Sequence, residues 1–111
     1  MRTRFFYPDD YVTTADYAIV GDPIDTTDAE LVAFTIVDIS TAAQAQYEIL
    51  GAMEKDFIDA QVVQAGAVIG IKGSGTEVGG YWGAAVWKYY GLFVRLVGGP
   101  TTVRVRGVTK G

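Results

Sequence analysis

After residue 60 the sequence falls into runs of Val, Ile, Tyr, Trp and Thr separated by glycines. That texture constrains the fold more than any other feature of the chain. β-Branched and aromatic side chains suit a pleated, half-buried surface, and glycines punctuate such a surface as turns. Strands are predicted at about 61–71, 80–88, 89–97 and 101–108, with turns at Gly73-Ser74-Gly75, Gly79-Gly80 and Gly98-Gly99-Pro100. The last two strands read as a hairpin. Leu92, Val94 and Leu96 face one way and Phe93, Arg95 and Val97 the other, while Val103 and Val105 point opposite to Arg104 and Arg106. This period-two alternation marks an antiparallel sheet with one solvated face.

The first 60 residues are more varied. Arg2 to Tyr7 reads as a short strand, or a terminal arm within 1–8, carrying Phe5, Phe6 and Tyr7 and ended by the turn Pro8-Asp9-Asp10. Tyr17 to Val20 is a short strand broken by Gly21-Asp22-Pro23, and an acidic loop follows to about Glu30. Leu31 to Ile39 is a strand apolar enough to be covered on both faces. A helix is predicted over about 41–57. Thr41 with Gln44 fits a capping box, and Ala42, Ala45, Ile49, Met53 and Phe57 recur at spacings of three and four, with Leu50 widening the stripe. Gly51 inside that helix costs about 1 kcal/mol against Ala. The expectation is one α+β domain over 1–111, mostly β: an antiparallel sandwich or partly open barrel with one amphipathic helix packed on it.

The chain contains no Cys and no His. Disulfides, thiolate metal sites, the Ser-His-Asp triad and the usual general base near neutral pH are therefore excluded. Serine occurs only as Ser40 and Ser74. Carboxylates, lysines and tyrosines remain, and no spacing in a sequence establishes the separation that a catalytic carboxylate pair requires. A non-enzymatic role with no cofactor is expected.

The net charge of −4 hides an asymmetry. Residues 1–60 hold twelve acids and three bases, a net of −9; residues 61–111 hold six bases and one acid, a net of +5. Such halves can fold against each other, or pack head to tail with a neighbouring molecule. The first twenty residues include Asp9, Asp10 and Asp16 and no long apolar run, so no secretory signal is expected and the default location is cytoplasmic. No stretch approaches the ~18 apolar residues of a membrane span, so no membrane partner is expected.

Three clusters invite a functional reading. Asp22, Asp25, Asp28 and Glu30 could converge on Ca²⁺, but their spacing is not that of an EF-hand, and a solvated acidic turn is favoured. Gly70-Ile71-Lys72-Gly73-Ser74-Gly75-Thr76 has glycines and a lysine but neither phosphate-loop order, so a turn is favoured. Tyr81, Trp82, Trp87, Tyr89, Tyr90 and Phe93 lie close in sequence, beside Lys88 and Arg95. Such rings can stack sugars or single-stranded nucleic acid. Core packing and subunit contact are favoured, because Tyr and Trp are enriched in subunit contacts and the acidic chain does not suit nucleic acid. Arg95, Arg104 and Arg106 could share one exposed hairpin face. There they would guard a sheet edge or meet a neighbour's acids.

The stretch 89–107, with Tyr90-Gly91, a strand, Gly99-Pro100, a strand and Gly107, resembles a segment of small capsid decoration proteins of tailed phages. That resemblance implies a virion location and an oligomer that cements an icosahedral shell. The order of strand, helix and meander ending in Phe93-Val94-Arg95-Leu96-Val97-Gly98-Gly99 is also similar to small extracytoplasmic lipoprotein-type α+β domains. This second resemblance implies a ligand site built on the aromatic cluster at 81–93. The favoured expectation is a structural protein that binds copies of itself or a larger assembly. Its candidate contact residues are Phe5, Phe6, Tyr7, Tyr81, Trp82, Trp87, Tyr89, Tyr90, Phe93, Arg95, Arg104 and Arg106.

Overall fold

A computed structural model describes residues 3–7, 9–13, 17–39, 44–69, 79–97 and 99–111. Ten strands follow one another: β1 (Thr3–Phe6), β2 (Tyr11–Thr13), β3 (Ala18–Ile19), β4 (Ile24–Asp25), β5 (Leu31–Asp38), β6 (Gln44–Ala52), β7 (Gln61–Ile69), β8 (Gly79–Ala84), β9 (Tyr89–Val97) and β10 (Thr101–Lys110). They form two antiparallel sheets that do not close into a barrel. The front sheet runs β1-β10-β5-β8, with β2 also on β10; the back sheet runs β3-β9-β6-β7, with β4 also on β9.

Alternation decides which side chains meet between the sheets. On β10 every odd residue from Thr101 to Thr109 is buried, and on β5 the buried residues are Val32, Phe34, Ile36 and Asp38. From the back sheet, Tyr47 and Ile49 of β6 and Tyr90, Leu92 and Val94 of β9 point in to meet them. Each large apolar side chain so buried contributes roughly 1.5–3 kcal/mol. The buried Asp38 carboxyl accepts a 2.6 Å hydrogen bond from the Thr101 hydroxyl, which gives one of its two oxygens a polar partner inside the apolar layer.

The helix expected at 41–57 is absent: Gln44–Ala52 is strand β6, and residues 53–60 turn into β7. Thr41 and Ala42 lie outside the described residues. The physical reason is pairing on both sides. β6 sits between β9 and β7, and that ladder outweighs a helix preference worth a few tenths of a kcal/mol per residue. Ala45, Tyr47 and Ile49 also satisfy a period of two.

β9 and β10 are not a hairpin; they belong to different sheets, and the chain crosses the sandwich between them. β5 is covered on one face only, since Leu31 and Thr35 remain exposed. Gly79 and Gly80 are strand residues at the start of β8, and the expected loop after Gly21 contains β4, whose Ile24 is fully buried. Thr3–Phe6 is not a loose arm but a strand paired along Gly107–Lys110. The turn at Gly73-Ser74-Gly75 lies outside the described residues.

Candidate interaction surface

The outward side of the front sheet departs from the usual polar face of an antiparallel sandwich. Register places Phe5 of β1 opposite Val108 of β10, Val108 opposite Ala33 of β5, and Ala33 opposite Trp82 of β8. Paired residues in a sheet share a face, so these four form one apolar row across four strands, about 14 Å long at ~4.8 Å per strand. The two ends stand up and the middle is low. Phe5 is 82% exposed and Trp82 is 80% exposed, while small Ala33 and half-buried Val108 make the floor. A recess of about 170 Å³ lies on the Trp82 side and one of about 180 Å³ on the Phe5 side.

Charge frames this groove. The outward residues of β10 run Arg104, Arg106, Val108, Lys110, so bases lie on both sides of the row. The carboxylate of Asp10, in the β1–β2 connection, grips Arg104 through two bonds of 2.9 and 3.1 Å and lies 3.7 Å from Arg106. This pairing holds the Asp10 carboxyl below its usual range and raises the Arg104 guanidinium. Arg106 also donates to the Tyr7 carbonyl at 3.1 Å. Part of the sequence's charge asymmetry is thus satisfied within the molecule, between its acidic and basic halves.

The other candidate residues are scattered by the fold. Phe6 is half-buried opposite Gly107, with the Arg4 guanidinium 5.8 Å from its ring. Tyr7 is in the core, and its hydroxyl donates to the Asp22 carbonyl at 2.9 Å; burial pushes that hydroxyl's pKa well above the ordinary tyrosine value. Tyr81 is half-buried against the core, and burial raises its pKa as well. Trp87 packs against β6 at Gly51, and Tyr89 lies under the Lys88 ammonium, 5.5 Å away. Tyr90 is fully buried, and its hydroxyl accepts from the Val86 and Trp87 amides and donates to the Ala84 carbonyl. The segment 81–93 therefore does not assemble into one aromatic platform.

Phe93 and Arg95 lie on the outward side of the back sheet, so Arg95 does not share a face with Arg104 and Arg106. There Phe93 stacks on Tyr17 at 5.5 Å and meets Phe57 edge-on at 5.5 Å, while Arg95 sits 5.1 Å from the Tyr17 ring. A recess of about 140 Å³ opens beside them, lined in part by Gln46 and Glu48. Burial, and then the Glu48 carboxylate, raise the Tyr17 hydroxyl's pKa. The rings here pack mainly on one another. Sequence reasoning missed Tyr17, Phe57 and Glu48, which lie far from Phe93 along the chain.

The acidic loop spends at least one carboxylate on its own turn. Asp25 accepts from the Thr27 amide at 2.9 Å and from its hydroxyl at 2.6 Å, which lowers the Asp25 pKa. Among the described residues no group of three potential metal ligands converges. The glycine-rich stretch Gly70–Thr76 lies outside the described residues. In comparisons with known proteins, the chain matches no family model and no curated protein.

Proposed function

We propose that this protein is a non-enzymatic assembly protein whose contact face is the outward side of the front sheet. One observation carries the reading: Phe5 and Trp82, each about four-fifths exposed, stand at the ends of a single apolar row. Aromatic side chains carry large apolar area, and in the free molecule these two leave it in water. A low apolar floor between two aromatic ridges, rimmed by bases, has the anatomy of an interface centre with a polar margin. The setting we propose is a shell built of repeated subunits, such as the virion surface suggested by the stretch 89–107.

Size-exclusion chromatography with light scattering tests this over a range of concentration. The wild-type protein is expected to exceed its monomer mass of 11.9 kDa as concentration rises. Trp82→Thr keeps a strand-forming residue and removes the indole. Truncating an aromatic anchor at an interface centre typically costs about 2–4 kcal/mol, or roughly 30- to 1,000-fold in affinity. Assembly of Trp82→Thr at the wild-type midpoint would show that this face is not the contact.

A further inference from the structure

Resting on the assembly reading above, we infer that the groove of the front sheet receives the β6–β7 turn of a second copy, so that subunits join head to tail. The turn, Met53 to Ala60, presents Ile58 at 82% exposure beside half-exposed Met53. Around these apolar tips stand Glu54, Asp56 and Asp59, with Lys55 the single base. An apolar knob ringed by acids thus complements an apolar groove flanked by Arg106 and Lys110.

The turn is built to present that knob. The Asp59 carboxylate accepts from the Met53 and Glu54 amides, both at 3.2 Å, and Asp56 accepts from the Ile58 amide at 3.0 Å. The Phe57 amide donates to the Glu54 carbonyl at 3.0 Å, and the Ala60 amide to the Phe57 carbonyl at 3.2 Å. Phe57 adopts a φ of 60°, a left-handed conformation that a bulky residue rarely takes. That conformation lets its ring pack against Phe93 on the back sheet while the next residue, Ile58, stands in solvent. A turn ordered in advance loses little freedom on docking.

The placement of the two features sets the symmetry. Phe57 holds the turn against the outward side of the back sheet, and the groove is on the outward side of the front sheet. Knob and groove therefore belong to opposite faces of the sandwich. One pair of molecules cannot exchange both contacts about a two-fold axis, so each contact leaves a knob and a groove free. Repetition gives a closed ring or an open stack.

The test uses two full-length variants, each keeping half of the contact. Ile58→Lys loses the knob and keeps the groove; Trp82→Thr loses a groove wall and keeps the knob. Both side chains are exposed, so the melting curves should stay close to wild type. Sedimentation equilibrium should show wild-type self-association, each variant weakened at least ~30-fold, and a one-to-one mixture of the variants forming a dimer that grows no further. Raising salt from about 0.05 to 0.5 M should weaken wild-type association several-fold. If Ile58→Lys assembles like wild type while Trp82→Thr does not, the turn is not the occupant and the front face stands. A mixture that stays monomeric overturns the head-to-tail contact. A wild-type protein monomeric at every concentration overturns the assembly of copies itself.

Discussion

Tyr47 and Gly66 offer a sharp test of the packing that holds the two sheets together. They face each other across β6 and β7, and the buried Tyr47 ring lies over the glycine. A Cβ at Gly66 would sit 1.7 Å from the ring, where ordinary contacts between carbons are ~3.5–4 Å. The ring cannot swing away cheaply, because it also lies close against Gly79 of β8, and its hydroxyl accepts the Gly80 amide at 3.3 Å. Gly66→Ala therefore forces the ring out by about 2 Å. Overpacking of this kind costs about 1–3 kcal/mol, and losing the bond to β8 adds about 1 kcal/mol. For a chain of this length, about 3 kcal/mol lowers Tm by roughly 10–15 °C.

Thermal and denaturant unfolding of a double-mutant cycle isolates the cause. Tyr47→Leu removes the ring and destabilises by itself. In that background Gly66→Ala should cost under ~0.5 kcal/mol, since the added methyl then has room and a strand interior prefers Ala to Gly. An equal cost of Gly66→Ala in both backgrounds would refute the reasoning.

Asp10, held below its usual pKa first by its bond to Arg104, gives stability that is present above the unfolded carboxylate value and is lost as pH falls through the lower, folded value. Carboxyl NMR titration should show that lowered value, and Arg104→Met should move it back up. Tyr7 behaves oppositely: its raised pKa means that stability is complete below the ordinary tyrosine value of about 10 and falls as pH rises above it. Tyr7→Phe should flatten the alkaline loss of stability in denaturant melts and cost about 1 kcal/mol at neutral pH, from the bond to Asp22. Thr101→Val deletes a donor to the buried Asp38 carboxyl and should cost about 1–3 kcal/mol in urea unfolding.

The strands β5, β7, β9 and β10 were legible in the sequence because their apolar and β-branched runs have no competing periodicity. β6 was not. Ala45, Ile49, Met53 and Phe57 fit a helical stripe, while Ala45, Tyr47 and Ile49 equally fit a strand. Only partners on both sides decide between these readings, and pairing with β9 joins residues 37 to 53 positions apart. The surface was half legible for the same reason. Phe5 and Trp82 stand out as aromatics, but Ala33 and Val108 are unremarkable until register sets all four in one row. The assumed hairpin failed because alternation reveals a strand's two faces without revealing its sheet.

Hydroxyl-radical footprinting of the wild-type protein, dilute and then concentrated, tests the central claim most directly. Oxidation of Phe5 and Trp82 is expected to fall together as the mass rises, while half-buried Trp87 changes little. Assembly that leaves Phe5 and Trp82 as reactive as in the dilute monomer would contradict the account.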